Sequence, residues 1–190
     1  MREFIRQILS QRNKRYIIDR GARPSAVLVP IFERGGEDHI LFTKRTETVE
    51  HHKSQISFPG GRKEEEDEDL LRTALRESYE EIGLDPEMVD ILGELDDELT
   101  LVSNFIVTPF VGFIPDPRQL RINPVEVEGL LEVPVSSLLN KANYREGIQA
   151  DGGMTYKAHY FHYGEDVIWG ATARILKRFF DLICSARSSL

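Results

Sequence analysis

The chain has 190 residues and a net charge of −8 at pH 7, from 24 Lys and Arg against 32 Asp and Glu. The length suits one domain, and 41% hydrophobic with 29% charged residues is typical of a soluble globular protein, which excludes fibrous, coiled-coil and wholly disordered chains. The negative charge argues against broad electrostatic binding to nucleic acid, and an acidic protein that handles anionic substrates needs a compensating cation.

Cysteine content and apolar runs exclude further classes of protein. Cys184 is the one cysteine, so an intramolecular disulfide and a structural zinc site built from thiolates are both excluded. The first residues lack the apolar core and cleavage site of a signal peptide, and no run approaches the ~18 apolar residues of a membrane span. We therefore expect a cytoplasmic protein without a membrane partner.

The first half of the chain predicts a helix, a β-hairpin and a second helix. Apolar residues at helical spacing predict an amphipathic helix over about residues 2–14. The Val- and Ile-rich run 25–32 predicts a buried strand, and the Gly-Gly turn within 33–38 returns the chain into a strand over 39–45. A helix is expected over 69–82, where Gly and Pro are absent, and Gly83 ends it.

The second half alternates strands and helices. Strands are predicted over 92–102, 105–114 and 125–133, and a short helix over 135–139 follows Pro134. The polar, glycine-containing stretch 140–157 predicts a loop, and apolar periodicity, which also places Trp169 in the core, predicts a C-terminal helix over about 167–187. This mixture favours an α/β or α+β sandwich, in which a central mixed sheet lies between helices.

The acidic part of the helix at 69–82 carries the chemistry. Glu77, Glu80 and Glu81 stand at i, i+3 and i+4, so a helix places the three carboxylates on one face. Their mutual repulsion is relieved in part by Arg76 and to a larger degree by a divalent cation, for which hard carboxylate oxygens are suited. A solvated acidic face is the alternative for three such residues taken alone.

The residues around these glutamates resemble the sequence motif of the Nudix hydrolase superfamily, called the Nudix box, at about residues 60–84. The run Arg-Glu-Ser-Tyr-Glu-Glu-Ile-Gly-Leu at 76–84 matches the second half of that box. In the first half, Gly61 lies one position too far from Glu68, and Ser78 replaces a residue that is usually aliphatic. The resemblance implies a single domain over 1–190 with an α/β/α sandwich.

The longer first half resembles the coenzyme A pyrophosphatase subfamily. Leu-Phe-Thr-Lys-Arg-Thr at 41–46 fits the subfamily's opening, and Phe-Pro-Gly-Gly at 58–61 fits its middle. The resemblance to the subfamily continues through residues 105–112, 126–139 and 168–176. Glu50 stands where the subfamily usually has Arg, and Ser54 where it usually has Gly, so the resemblance leaves the cleaved substrate open.

The resemblance implies hydrolysis of a nucleoside diphosphate linked to another moiety, with Mg²⁺ or Mn²⁺ as the cofactor. It assigns the metal to Glu77, Glu80 and Glu81, helped by a carbonyl of Gly60 or Gly61. Arg76 is expected to orient the carboxylates, and Asp67 or Glu68 to support the loop. The candidates for the general base are Glu77, Glu98, Glu126 and Glu128. The candidates for substrate binding are Arg45, Gln55 and Phe58.

Several alternatives stay open at this stage. Within the hydrolases the substrate is coenzyme A or a derivative, ADP-ribose, NADH, a nucleotide sugar or a nucleoside triphosphate. A non-catalytic nucleotide-sensing module is a second class, and an isomerase is disfavoured because Cys184 lies far from the box. We expect a small nucleotide-type partner and no nucleic acid, and the oligomeric state, monomer or homodimer, is open.

Overall fold

The computed structural model describes residues 1–46, 55–100, 103–151 and 154–187. Within these ranges four helices and eleven strands follow one another as α1 Arg2–Ser10, β1 Arg23–Arg34, β2 Glu37–Arg45, β3 Ile56–Ser57, β4 Gly60–Arg62, α2 Leu70–Ile82, β5 Asp90–Glu94, β6 Glu98–Thr100, β7 Phe105–Phe113, β8 Val127–Pro134, α3 Val135–Leu139, β9 Tyr144–Asp151, β10 Met154–Tyr163, β11 Asp166–Ile168 and α4 Gly170–Arg187. None of the helices in the described part of the chain is long and apolar enough to cross a membrane.

Strand β1 organises an eight-stranded mixed sheet. Its first residues pair antiparallel with β4, its last residues pair antiparallel with β2, and its other edge runs parallel to β7 over nine residue pairs. β3 and β8 extend the sheet from β2, and β5 and β6 extend it from β7. Because β4 carries the two glycines of the box, the pairing with β1 fixes that loop to the centre of the sheet.

The two faces of β1 bury different helices, which confirms the expected mixed sheet between helices. Ala26, Leu28 and Phe32 point to one side, where they pack with Ala74 and Ile82 of α2. The alternate residues point to the other side and pack with apolar residues of α1 and α4. This is the period-two alternation of a strand whose two faces are both covered, so β1 reads as a nearly continuous apolar run.

The stretch 140–157 was expected to be a loop, and this expectation is wrong. β9 and β10 pair antiparallel, from Tyr144 opposite Phe161 to Asp151 opposite Met154, and β11 completes a three-stranded sheet. The side of this sheet toward the core is covered by α4, where Phe161 stacks at a tilt on Phe180. Its other residues are largely polar, so the apolar signal of the strands is weak.

Three elements differ most from the sequence-based expectation. α1 ends at Ser10 because the cations after it leave the helix and bind the acidic stretch 94–97, as in the ion pair of Lys14 with Asp97 at 3.0 Å. The strand expected over 92–102 is divided into β5 and β6; between them the Asp97 N–H bonds the Arg15 carbonyl of the segment after α1 and not a neighbouring strand. α4 begins at Gly170, because residues 166–168 form β11.

Candidate active site

Helix α2 presents the acidic face that the box predicts. Asp69 caps its first turn by accepting a hydrogen bond from the backbone N–H of Arg72 at 2.8 Å, and Gly83 ends it in the left-handed conformation with a φ of 66°. Ser78, which replaces the usual aliphatic residue, is buried and donates its hydroxyl to the carbonyl of Ala74 at 2.7 Å. Its polar group is therefore satisfied inside the helix, and the box helix is intact.

Asp67 fixes Arg76 beneath the glutamates. The Asp67 carboxylate accepts two hydrogen bonds from Arg76, at 2.9 and 3.0 Å, and one from the Thr73 hydroxyl at 2.9 Å. The guanidinium holds the pKa of Asp67 well below its usual range. Arg76 also contacts Glu77 at 3.1 Å and Glu80 at 3.0 Å, whereas Glu68 is exposed. Of the two residues predicted to support the loop, Asp67 is the one placed against Arg76.

The three box glutamates occupy different environments. Glu81 is buried and accepts the Gly60 N–H at 3.2 Å, and burial raises the pKa of Glu81 to about 8. Burial also raises the pKa of Glu77, against the opposing effect of Arg76. The side chain of Glu80 is half exposed beside Arg76. Arg45 reaches within 4.0 Å of Glu81 and lowers its pKa in part.

The two glycines of the box let strand β4 approach its neighbours closely. A Cβ on Gly61 would lie 2.5 Å from the carboxylate of Glu77. Gly60 has a φ of 147° and lies against the backbone of Ala26 and Val27. The backbone of 60–61 therefore lies against both Glu77 and Glu81.

The candidate bases outside the box lie in three different places. Glu126, just before β8, is close enough to raise the pKa of both Glu77 and Glu81 by charge repulsion. Glu128 is exposed on β8. Glu98 is buried beneath α4, where it binds Arg174, so its carboxylate is engaged by a guanidinium. Of these three, Glu126 is the one the structure couples electrostatically to the box.

The donor set fits a hard divalent cation. The buried Glu81 and the partly buried Glu77 have raised pKa values, and Glu126 and the closely placed glycine backbone add further oxygen atoms. Oxygen donors with excess negative charge are the kind that Mg²⁺ and Mn²⁺ bind. Among the described residues, no group of three or more Asp, Glu, His or Cys is already gathered in metal-binding geometry. A cation bound here would have to draw these carboxylates closer together.

A cavity of about 420 Å³ adjoins the box and contains the residues expected to bind substrate. Arg45, Gln55 and Phe58 all line it, together with Gly60 and Gly61. Phe58 is almost fully buried and stacks on Phe42 with ring centroids 5.1 Å apart, so it shapes the wall more than it offers a free surface. Glu50 and Ser54, the two departures from the subfamily pattern, lie outside the described residues.

Some residues that line the cavity were not predicted from the sequence. They come from the second sheet and from the start of α4, and they include Gln149, Tyr156, Trp169 and Arg174. The periodicity of α4 marked its core face alone and gave no signal for Arg174. Trp169 was expected in the core, whereas it is 39% exposed and borders the cavity.

Comparison with known proteins gives the same family. Residues 22–149 match the model of the NUDIX domain. The chain is 35% identical over 176 residues to a Yersinia enterocolitica protein named Uncharacterized Nudix hydrolase NudL, which covers 93% of this chain and 89% of that protein. It is also 35% identical over 154 residues to the protein of that name from Photorhabdus laumondii, covering 81% of each.

Solved structures share the fold at lower identity. A MutT/nudix family protein from Enterococcus faecalis superposes with a TM-score of 0.57 at 13% identity, over 96% of this chain and 69% of that one. A MutT protein from Methanosarcina mazei gives a TM-score of 0.52 at 20% identity, over 93% of this chain and 99% of that one. On the family match and the relatives, the chain belongs to the Nudix hydrolase family, enzymes that hydrolyse phosphorus-containing acid anhydrides.

Proposed function

We propose that this Nudix hydrolase is a divalent-metal-dependent pyrophosphohydrolase of coenzyme A or its derivatives, and that its 190 residues act as one domain. The products would be adenosine 3′,5′-bisphosphate and 4′-phosphopantetheine. The observation that carries the proposal is the position of Arg45, which lines the 420 Å³ cavity and lies 4.0 Å from the buried Glu81. A diphosphate bound at that junction would meet a guanidinium on one side and the box carboxylates on the other.

The chain's residues divide the work of an anhydride hydrolysis. A water attacks one phosphorus, and the other phosphate leaves with the electrons of the bridging bond. Mg²⁺ or Mn²⁺ held by Glu77, Glu80, Glu81 and the Gly60 or Gly61 carbonyl would supply charge stabilisation for the phosphate oxygens. Arg45 would bind a non-bridging oxygen, and Arg76 would keep the carboxylates in place. Glu126 is the candidate for accepting the proton of the attacking water, with Glu77 as the alternative.

The position of Arg45 supports a diphosphate substrate, and the choice of coenzyme A among the diphosphates comes from the sequence resemblance and the cavity. The cavity has the size of a nucleotide site and combines arginines with aromatic side chains, which suits a substrate that has both phosphates and a base. ADP-ribose, NADH, nucleotide sugars and nucleoside triphosphates share part of this chemistry and are the competing substrates. A sensing module without turnover is the lower alternative, and the complete set of box glutamates argues against it.

A product-resolved hydrolysis assay tests the proposal. The full chain is incubated with Mg²⁺ or Mn²⁺ and each of coenzyme A, ADP-ribose, NADH and the nucleoside triphosphates. We expect coenzyme A to be cleaved fastest, and Glu80→Gln to fold normally but lose about 100-fold in rate at saturating metal. Intact coenzyme A beside cleavage of another diphosphate would refute the substrate, and full activity of Glu80→Gln would refute the metal assignment.

A further inference from the structure

The charge on the cavity wall is opposite to the charge of the protein. The whole chain carries −8, yet the charged side chains that line the 420 Å³ cavity are Arg45, Arg62 and Arg174. No Asp or Glu of the described residues belongs to this wall. A wall with arginines as its charged side chains favours anionic ligands, and more than one arginine leaves room for a negative group beyond a diphosphate.

Arg45 and Arg174 reach the cavity from different elements of the fold. Arg45 ends β2, whereas Arg174 stands on α4 over β6, where it contacts Glu98. Next to Arg45 the edge of β2 pairs with β3, the edge of β1 pairs with β4, and β7 lies between β1 and β6, so several strands separate the two supporting elements. One diphosphate beside Glu81 therefore accounts for Arg45 and leaves Arg174 for a second anionic group.

Arg174 is held as a fixed guanidinium. Its Nε donates to the buried Glu98, and its Nη2 donates to the Leu99 carbonyl at 3.3 Å. Glu98 is only 4% exposed and is also paired with Arg178 at 2.8 Å. Among the described residues Nη1 of Arg174 makes no hydrogen bond, so this edge of the group is left for a ligand. A preorganised guanidinium loses little conformational entropy when it binds a phosphate.

The surroundings of Arg174 suit the ribose end of a nucleotide. Trp169 precedes the first turn of α4, and Tyr156 and Phe105 border the same cavity. Aromatic faces of this kind bind a base by stacking, and a half-exposed Trp outside the core has a face available for it. The hydroxyl residues Thr100 and Ser103 lie on this wall as well.

We propose that Arg174, positioned by Glu98, binds a phosphate monoester on the ribose of the substrate and so selects nucleotides that carry a phosphate beyond the diphosphate. This inference rests on the proposed function and deepens it, since coenzyme A carries a phosphate of this kind at the 3′ position. It also gives Glu98 the role of a positioning residue in place of the general base that the sequence left open.

Product-type nucleotides test the subsite without turnover. Calorimetry of the full chain with 5′-AMP, adenosine 3′,5′-bisphosphate and adenosine 2′,5′-bisphosphate compares three ligands that differ in one phosphate. We expect the 3′,5′-bisphosphate to bind at least about tenfold more tightly than 5′-AMP. Arg174→Gln should abolish that difference while leaving the affinity for 5′-AMP within about threefold. Glu98→Gln should reduce the difference in part.

Arg178→Gln is the matched control. Arg178 pairs with the same Glu98 but is absent from the cavity wall, so this variant should keep the preference for the bisphosphate. Equal binding of all three nucleotides by the unmodified protein would overturn the inference, as would a preference that survives Arg174→Gln in a folded variant. Equal loss of affinity for 5′-AMP and bisphosphate in Arg174→Gln would also overturn it, because that pattern indicates a structural role.

The outcomes separate the subsite from the proposed function. Tighter binding of the 2′,5′-bisphosphate, lost in Arg174→Gln, would keep the phosphate subsite and argue against coenzyme A. A preference for the 3′,5′-bisphosphate in a protein that leaves coenzyme A intact would keep the subsite and refute the proposed reaction. Cleavage of coenzyme A with no preference between bisphosphate and 5′-AMP would keep the reaction and refute the subsite.

Discussion

At the residue scale, the arrangement of the box depends on Asp67. Its buried carboxylate accepts hydrogen bonds from the backbone of Glu64, from Thr73 and twice from Arg76. Arg76 in turn contacts two of the glutamates of α2. A buried carboxylate with this many donors is stabilised as the anion, and the loop before α2 and the acidic face of α2 are thereby tied together.

Asp67→Asn should therefore destabilise the protein and make its free energy of unfolding depend less on pH in the acid range. Loss of one partner leaves the Arg76 guanidinium short of its counter-ion, which we expect to lower the free energy of unfolding at pH 7 by about 3 kcal/mol. The folded-state pKa of Asp67 is depressed, so its contribution is complete above the unfolded-state pKa of about 4 and is lost as pH falls below it. Urea denaturation at several pH values measures both effects.

The neighbouring Glu66 provides a matched control for this prediction. It is exposed in the same turn, so Glu66→Gln should change the free energy of unfolding by less than about 0.5 kcal/mol. The gap in stability between the unmodified protein and Asp67→Asn should narrow as pH approaches 3. A gap that is constant from pH 7 to pH 3 would contradict the assigned role of the Asp67 charge.

At the element scale, the site depends on how closely β4 lies against α2. Gly61 has an ordinary negative φ, so alanine is compatible with its backbone, but the added methyl would meet the Glu77 carboxylate at 2.5 Å. The carboxylate would have to move while the sheet stays in place. Displacement of a reacting group by about 1 Å is enough to reduce a rate by about 100-fold.

Gly61→Ala should therefore impair catalysis more than folding. We expect kcat/KM for the preferred substrate to fall by ten- to a hundredfold, with the free energy of unfolding changed by less than about 1 kcal/mol. Gly129→Ala in β8 is the control, because a Cβ there meets no atom within 4 Å and should leave both quantities unchanged. Steady-state kinetics and denaturation of the two variants measure kcat/KM and the free energy of unfolding. Full activity of Gly61→Ala would show that catalysis does not depend on the position of Glu77.

The same scale shows how far the sequence predicts this protein. The first hairpin and α2 follow from local signals, namely apolar runs, a Gly-Gly turn, a stretch without Gly or Pro and a terminal glycine. The β9–β10 hairpin was missed because its strands are largely polar and therefore lack the apolar alternation that marks a strand in sequence. Residues brought together by long-range contacts, as Glu126 and Arg174 are with the box and the cavity, carry no local pattern that spacing can detect.

At the scale of the whole molecule, the acidic site works against the stability of the metal-free fold. Burial raises the pKa of Glu81 to about 8, with added repulsion from Glu77 and Glu126. The folded protein therefore holds a proton that the unfolded chain releases near pH 4.5. By linkage, this group's contribution to the free energy of unfolding falls as pH rises from about 4.5 to about 8.

A bound divalent cation should reverse this trend, because it replaces the proton on Glu81. We expect the affinity for Mn²⁺ to rise with pH between 6 and 8, by up to about tenfold per unit, and Mg²⁺ to raise the Tm more at pH 8 than at pH 6. Calorimetry in buffers of different ionisation enthalpy counts the protons released on binding.

Glu81→Gln lacks the titrating group, so its metal-free stability should vary less over this pH range and its weaker binding should release fewer protons. Metal binding that is independent of pH in the unmodified protein would mean that the buried Glu81 carboxylate is not a ligand.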